Sequence, residues 1–275
     1  MPSPKNPALV YISTGFKPAF MKKITLLLLL LNFTAFAQSH KKAIIVLTYD
    51  DALPSQLDIA LPQLDSLGFK GTFFLTGYIT HVTIPRWRQV ALKGHELANH
   101  SLYHPCLTTS VKANPANNSA NYSVFMIKRE VAEMNNLLYA VDGKTGTRTY
   151  AYPCTEIAVG GVKYADSLSA AGIIKYARIG GGPDAVITDF KKIDPMQVPA
   201  WGVHGGVTGD ELIAFVKKTQ QSGGLGVIMF HGIGGDYITT PAAAHKQLLL
   251  YLKQHPDEIE VLTFQDALDA VKRIN

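Results

Sequence analysis

The chain has 275 residues, a formal net charge of +5 and a sequence pI of about 9.0. The basic excess lies in the first 37 residues, which contain four lysines and no acidic residue, so the remainder carries a formal charge of only +1. Charge therefore gives no argument for a nucleic-acid partner. The 238 residues that follow position 37 suit one domain with a full hydrophobic core.

Residues 21–37 have the pattern of a secretory signal peptide. A basic start at Met21-Lys22-Lys23 is followed by a leucine-rich run to Leu31 and a small-x-small end at Ala35-Phe36-Ala37. The apolar run is shorter than the roughly 20 residues of a membrane span. We therefore expect cleavage after Ala37 and export to the periplasm or the medium, with no stable span afterwards; an uncleaved anchor or a buried helix is the alternative. Residues 1–20 are an upstream extension for which no fold is predicted.

From residue 38 onward, apolar runs alternate with amphipathic stretches. The predicted strands are 43–49, 71–76, 96–98, 149–152, 173–178, 197–201, 225–230 and 260–262. The predicted helices are 55–67, 86–93, 123–141, 162–171, 210–220, 241–254 and 263–273. Repeated strand–helix units indicate a parallel sheet, and seven or eight of them favour an α/β fold of the (β/α)7-8 TIM-like barrel type. The whole of 38–275 is predicted to be one domain.

Polar residues follow three of the predicted strands directly. Asp50 and Asp51 end the first apolar run, His100 and His104 follow the third strand, and His231 follows the strand 225–230. Two carboxylates at the end of a buried strand are costly to desolvate unless a cation or a hydrogen-bond donor pairs with them. In (β/α) barrels the C-terminal ends of the strands carry the active site. The five residues are therefore predicted to share one site.

This set has the composition of a catalytic metal site. His100 and His104 are four residues apart, so they face the same way on a helical turn. Together with Asp51 they supply the three protein ligands that such a site commonly uses, with a position left for water. Asp50 then stays available as a general base and His231 as a general acid. The pattern predicts a metal-dependent hydrolase.

The two cysteines of the chain, Cys106 and Cys154, each follow a proline just after a candidate site segment. An exported protein can form a disulfide. A Cys106–Cys154 bridge and two separate buried thiols remain the two alternatives, because the sequence does not give the Cα spacing.

Several segments resemble the motifs of the polysaccharide deacetylases, carbohydrate esterase family four. They are Thr48–Ala52, Gly94–Pro105 and Phe230-His231, and Gly71–Leu75 fits the second strand of the family. The resemblance spans roughly residues 42–265. It implies a distorted (β/α) barrel that removes acetyl groups from carbohydrate with one divalent metal, zinc in the first place and cobalt, nickel or manganese as alternatives.

The resemblance also implies residue roles by position. Asp50 would be the base, His231 the acid, and the metal ligands would be Asp51, His100 and His104. Trp201 would wall the acetyl pocket. Tyr152 and Cys154 would contact the substrate, Cys154 through a backbone N–H that binds the developing oxyanion.

Two positions depart from the family pattern. Ala151 stands where the family has an arginine that orients the base, and Arg148 is the candidate to reach the base instead. Ala200 stands where the family often has an aspartate beside the tryptophan, and His204 and Asp236 are candidates to replace that acid or to contact sugar. Such supporting residues set the orientation and basicity of the groups they touch.

Three functions stay open, because the same residues serve two reactions and the two departures suggest an inactive protein as a third alternative. The first is N-deacetylation of amino-sugar glycans of the chitin or peptidoglycan type, and the second is O-deacetylation of acetylated xylan or another polysaccharide. The third is an inactive protein that binds glycan. The expected partner is a carbohydrate substrate and no nucleic acid, and the protein is expected to be a monomer.

Overall fold

The structure is a computed structural model that describes residues 1–4, 8, 10, 42–109 and 114–274. Contacts divide the chain into Met1–His40 and Lys41–Asn275, and the elements below belong to the second unit. The predicted signal peptide, residues 21–37, lies outside the described residues. The predicted upstream extension, residues 1–20, is described only at 1–4, 8 and 10.

The described residues form eleven strands and seven α-helices. The strands are β1 (Ala43–Asp50), β2 (Thr72–Leu75), β3 (Glu96–Asn99), β4 (Arg148–Ala151), β5 (Ala158–Val159), β6 (Val162–Lys163), β7 (Ile174–Gly181), β8 (Val186–Ile187), β9 (Val198–Gly202), β10 (Leu225–Phe230) and β11 (Ile259–Leu262). The helices are α1 (Leu61–Leu67), α2 (Ile84–Leu92), α3 (Val124–Asp142), α4 (Ala165–Ala170), α5 (Gly209–Ser222), α6 (Ala242–Gln254) and α7 (Phe264–Ile274).

Seven parallel strands close into a barrel in the order β1-β2-β3-β4-β7-β9-β10, because β10 pairs again with β1. Two different strands pair with β1 besides β10. The first part of β1, Ala43–Val46, pairs with β11, and the last part, Thr48–Asp50, pairs with β2. The short strand β8 adds antiparallel to β10. The predicted (β/α) barrel is confirmed, with seven strands in the ring. None of the helices in the described ranges is both long and apolar enough to cross a membrane.

The alternation of side chains along β1 explains why Asp50 points into the barrel. Ile44 and Val46 belong to the cluster that fills the barrel interior, whereas Ile45 and Leu47 pack in the cluster that faces the helices. Side chains two residues apart share a face of a strand. Asp50 is in phase with Ile44 and Val46, so the hydrophobic pattern of β1 directs its carboxylate inward.

The predicted helix 162–171 is wrong in its first part. Residues Ala158–Val159 and Val162–Lys163 form a small antiparallel hairpin, and the helix is only Ala165–Ala170. The turn residues Gly160 and Gly161 both have positive φ, 53° and 79°. A two-residue turn of this kind needs positive φ, so the Gly-Gly pair was the sequence signal for a hairpin.

Candidate active site

The C-terminal ends of the barrel strands bring together the five residues predicted to share a site. Asp50 is the last residue of β1, His100 directly follows β3, and His231 directly follows β10. Asp51 leaves its strand with φ of 77°, and its N–H donates to the carbonyl of Phe74 on β2 at 3.1 Å. The turn therefore directs the two adjacent carboxylates to different positions in the site.

Asp51, His100 and His104 form the cluster that fits a metal ion. The Nε2 atoms of His100 and His104 lie 3.4 and 3.3 Å from Oδ1 of Asp51, and the three ligand atoms all lie within 4.8 Å of one another. His100 Nδ1 donates to the carbonyl of Ala151 at 2.8 Å. That bond fixes the tautomer that presents Nε2 to the cluster, as is usual for metal-binding histidines.

The electrostatics of the cluster also fit a cation. Burial raises the pKa of Asp51, but its hydrogen bond with His100 and the charges of His100, His104 and His231 outweigh burial and hold that pKa well below its usual range. Burial lowers the pKa of His100, and the hydrogen bond to Asp51 with the Asp50 and Asp51 charges raises it overall. The carboxylates thus attract positive charge to this point, and a divalent cation would take the place of the imidazole protons.

Asp50 is held by an arginine that the sequence analysis missed. Nη2 of Arg178, on β7, donates to Asp50 Oδ2 at 2.5 Å, and the two side chains are 1% and 3% exposed. The guanidinium carbon lies 5.0 Å from the ring centre of Phe74. The other carboxylate oxygen, Oδ1, is buried and has no hydrogen-bond partner among the described residues. Arg178 thus fixes one oxygen of Asp50, which also lies 3.9 Å from Nε2 of His100, and the other oxygen has no hydrogen-bond donor among the described residues.

The sheet pairing explains why this arginine comes from a different strand. β4 and β7 are neighbours, and Arg178 is directly opposite Ala151 in their register. Ala151 lies in the interior cluster and has only a methyl group, so the Arg178 side chain can reach across to Asp50. The strand at 174–179 contains two cations, Lys175 and Arg178, so the sequence alone did not single out Arg178.

Arg148, the candidate to reach the base, does not contact Asp50 but binds Asp142. Arg148 begins β4, at the opposite end of the barrel, where its guanidinium donates to both carboxylate oxygens of Asp142 at 2.6 and 2.8 Å. It also donates to the carbonyls of Leu97 and Lys144. Arg148 is therefore part of the barrel framework rather than of the site.

His231 lies near Oδ2 of Asp51, whereas His100 and His104 lie near Oδ1. Nε2 of His231 is 3.8 Å from Asp51 Oδ2, and the hydroxyl of Tyr237 donates to the same oxygen at 2.6 Å. Nε2 of Gln56 donates to the carbonyls of Asp50 and His231 at 2.5 and 3.1 Å. This one amide ties the ends of β1 and β10 together and so fixes the position of His231 relative to the two aspartates.

These residues surround a cavity of about 300 Å³, which we call the reaction cavity. Its lining consists of Asp50, Asp51, His100, His104, Tyr152, Cys154, Thr155, Met229, His231 and Ile238. Cys154 has φ of 51° in the tight turn after Pro153, and Tyr152 is almost fully buried. Cys106 and Cys154 form a disulfide with a Cα–Cα distance of 5.9 Å. The bridge joins the loop that follows His104 to this turn.

The structure places three further predicted residues away from the reaction cavity. Trp201 points outward from β9 and packs on Phe215 of α5, with ring centres 5.1 Å apart, so Met229 rather than Trp201 lines the cavity. His204 is exposed and pairs with Glu211 at 3.3 Å. The Asp236 carboxylate accepts from the N–H of Ser55 at 2.8 Å and so supports the turn after β1.

Carboxylates and imidazoles at the C-terminal ends of a parallel barrel define a hydrolase-type site of the kind that the motifs predicted. Residues 37–171 match the sequence model of a family described as polysaccharide deacetylase. The chain contains a domain of the polysaccharide deacetylase family. None of the curated proteins matches the sequence significantly.

Solved structures show the same fold. The chain is similar to the Xyl-CE4 domain of a multidomain xylanase from the hindgut metagenome of Trinervitermes trinervoides, with 19% identity, 85% of this chain and 93% of that chain covered, and a TM-score of 0.54. It is similar to the peptidoglycan deacetylase PdaC of Bacillus subtilis, with 18% identity, 86% and 94% coverage and a TM-score of 0.56. It is also similar to a family 4 acetyl xylan esterase of Clostridium thermocellum in complex with a cobalt ion, with 19% identity, 82% and 91% coverage and a TM-score of 0.53.

Proposed function

We propose that the protein is a hydrolase that removes acetyl groups from carbohydrate, acting on the N-acetyl groups of an amino-sugar glycan. The observation that carries the proposal is that two adjacent aspartates have different surroundings. Asp51 belongs to the cation cluster, whereas Asp50 has one oxygen fixed by Arg178 and the other buried without a partner. That arrangement supports a general base next to a bound metal.

Asp51, His100 and His104 would hold the divalent cation, with zinc or cobalt suited to this carboxylate and imidazole donor set. When bound, such an ion polarises a carbonyl and acidifies a water molecule. The hydrogen bond from His100 to the Ala151 carbonyl keeps its ligand nitrogen in place. The cobalt-bound esterase among the similar structures supports a divalent ion in the proposal.

The base step belongs to Asp50. Its Oδ1 accepts a proton from the water that attacks the acetyl carbon, while the Arg178 guanidinium holds Oδ2. Both partners are almost fully buried, so the pair has a single fixed geometry and is little screened by solvent. Arg178 therefore acts as a positioning residue for the base.

The acid step belongs to His231. It lines the reaction cavity and is 14% exposed, so it can protonate the leaving nitrogen or oxygen of the sugar as acetate departs. The backbone N–H of Cys154, in the turn on the cavity wall, is the proposed donor to the acetyl oxygen as negative charge develops there. The Cys106–Cys154 bridge restrains that turn.

O-deacetylation is the second candidate function. The similar structures include an acetyl xylan esterase as well as a peptidoglycan deacetylase. The proposed base, acid and ligand residues serve an ester and an amide equally, because each reaction needs an activated water and a protonated leaving group.

The experiment that tests the function measures acetate release by the purified protein with added zinc or cobalt. The substrates are chitooligosaccharides, peptidoglycan and acetylated xylan, and the matched variant is His104→Ala. We expect the wild type to release acetate, and His104→Ala to lose both bound metal and turnover. A wild-type protein that binds metal and glycan without releasing acetate from any of these substrates would instead be a glycan-binding protein.

We also propose that the protein is exported, because residues 21–37 have the sequence pattern of a signal peptide. N-terminal sequencing of the protein recovered from the periplasm or the medium should begin at Gln38. Retention of the full chain in the cytoplasmic fraction would refute the proposal.

A further inference from the structure

The segment 231–240, which we call the His231 loop, connects β10 to α6 and packs on the turn that follows β1. Ser55 belongs to that turn, and its backbone N–H donates to the carboxylate of Asp236 at 2.8 Å. The Ser55 hydroxyl oxygen accepts from the N–H of Ile233 at 3.0 Å. The loop is thus bound to the β1 side of the site near its beginning and near its middle.

Tyr237 is the residue through which this loop reaches the cation cluster. Its hydroxyl donates to Oδ2 of Asp51 at 2.6 Å. The Nε2 atoms of His100 and His104 lie near the other oxygen, Oδ1, at 3.4 and 3.3 Å. The Tyr237 ring centre lies 6.1 Å from that of His231. Tyr237 therefore borders both a proposed metal ligand and the proposed acid.

The backbone is strained on both sides of Tyr237. Asp236 has φ of 62° and Ile238 has φ of 43°, in the left-handed region that is unfavourable for a β-branched residue. Such conformations persist only where the surrounding contacts hold them. The carbonyl of Tyr237 accepts from the N–H of Gly232 at 3.1 Å, and a side chain at position 232 would overlap the carbonyl oxygen of Gly235. The loop is therefore held in a compact conformation that directs the Tyr237 side chain to Asp51.

A hydrogen bond to the second oxygen of a ligand carboxylate supports cation binding. It fixes the plane of the carboxylate before the ion arrives, so less conformational freedom is lost on binding. The Asp51 side chain is only 8% exposed, so water has little access to compete for this bond. Loss of such a supporting group typically costs roughly 10- to 100-fold in metal affinity or activity.

We propose that Tyr237 is a positioning residue of the cation site. Its hydroxyl holds Oδ2 of Asp51 so that Oδ1 stays directed at His100 and His104, and it links occupancy of the site to the loop that carries His231. The inference rests on the proposed function, because it takes Asp51 as a ligand of the cation. Tyr237 lies outside the sequence motifs that carry the resemblance to the family, so the resemblance implies no role for it.

The test compares Tyr237→Phe with Tyr176→Phe as the matched control. The first substitution removes the hydroxyl and keeps the ring. Tyr176, on β7, also donates its hydroxyl to a carboxylate, Oδ1 of Asp269 at 2.7 Å, so its variant loses a bond of the same kind outside the cation cluster. Each protein is freed of metal with a chelator, and the Kd values for zinc and cobalt are measured by calorimetry. The visible absorption spectrum of the cobalt-saturated protein reports the geometry of the ligands.

We expect Tyr237→Phe to bind both ions roughly 10-fold or more weakly than the wild type and to shift the cobalt absorption bands, because the Asp51 carboxylate is no longer held. Tyr176→Phe should have the Kd values and the spectrum of the wild type. A Kd for Tyr237→Phe that equals or is lower than that of the wild type would overturn the proposal.

Hydrogen exchange of backbone amides tests the link between the cation site and the His231 loop. The N–H groups of Gly232, Gly234 and Thr240 are bonded within this loop. A bound cation should slow their exchange severalfold in the wild type and less in Tyr237→Phe at saturating ion, because the loop opens more easily without the Tyr237 hydroxyl bond. Equal protection by the cation in the two proteins would overturn the link.

Acetate release separates a failure of this inference from a failure of the proposed function. A wild type that binds the ions without releasing acetate refutes the proposed function, and the comparison of Kd values still decides the role of Tyr237. A wild type that releases acetate, together with a Tyr237→Phe variant of equal Kd, refutes this inference alone. A wild type that binds neither ion refutes both.

Discussion

The two ends of the barrel both contain buried charged groups, but they differ in how completely these groups are hydrogen bonded. At the N-terminal end, the Glu96 carboxylate accepts from the hydroxyls of Thr72 and Thr149 and from the N–H of Gln265. At the C-terminal end, Asp50 has one oxygen bound by Arg178 and one without a partner. A carboxylate with all its hydrogen bonds made stabilises a framework, whereas one that lacks a partner at a buried oxygen points to a further role.

Cavity size does not distinguish the two ends. The cavity beside Glu96 and Arg148 has a volume of about 460 Å³, larger than the reaction cavity of about 300 Å³. Its arginine is engaged by both oxygens of Asp142 and by two carbonyls. The two ends therefore differ in the state of their hydrogen bonds rather than in having a cavity, and the proposed function places the reaction at the C-terminal end.

The largest expected effect is that of Asp50→Asn. The amide keeps the shape of the side chain but cannot accept the proton of the attacking water, so turnover should fall by roughly 10²- to 10⁴-fold. Bound metal should remain near the wild-type level, because Asp51, His100 and His104 are intact. Acetate release and elemental analysis of the same preparation check both statements, and near-wild-type turnover would remove Asp50 from the role of base.

Arg148→Met should affect stability and leave the chemistry unchanged. The Asp142 side chain is fully buried and would lose its bidentate partner. Removal of one member of a buried ion pair costs about 3–5 kcal/mol. Denaturant unfolding measures this loss, and kcat/KM of the folded variant should equal that of the wild type. A selective loss of kcat/KM without loss of stability would contradict the framework role.

Glu96→Gln should produce a smaller, pH-dependent effect. Burial raises the pKa of Glu96 above its ordinary value of 4.5, although three hydrogen bonds partly oppose the shift. A carboxyl group whose pKa is higher in the folded state than in the unfolded state stabilises the folded protein at pH values below the unfolded pKa. This stabilisation is lost as the pH rises through the folded pKa. The stability of the wild type relative to Glu96→Gln should therefore be greatest at acidic pH and decline as the pH rises.

Thermal unfolding of both proteins between about pH 4 and about pH 8 measures this difference. A constant difference over that range would show that Glu96 titrates alike in the folded and unfolded states. A difference that grows with pH would contradict the sign of the shift.

The barrel and the five site residues could be predicted because each depends on local sequence. Apolar runs predict the strands, and the polar residues follow them at the ends that share one face of the barrel. The inward direction of Asp50 follows from the alternation along β1. These features need no knowledge of which strand lies beside which.

Arg178 and Trp201 could not be predicted because their roles depend on tertiary pairing. Arg178 replaces the arginine expected at Ala151 only because β7 lies next to β4, with the β5–β6 hairpin intervening in the chain. Trp201 faces the helices because Ala200, its neighbour on β9, occupies the inward position. A residue-by-residue match to family motifs does not reveal either the exchange between strands or the direction of a side chain.

The most direct test of the account is acetate release by Arg178→Met compared with Arg148→Met, each measured on folded protein with its metal content determined. The account predicts that Arg178→Met keeps its metal but loses roughly 10- to 100-fold in kcat, because Asp50 is no longer held in position. Arg148→Met should keep the wild-type kcat. Equal kcat values for the two variants would contradict the assignment of the reactive carboxylate and its arginine to the C-terminal end of the barrel.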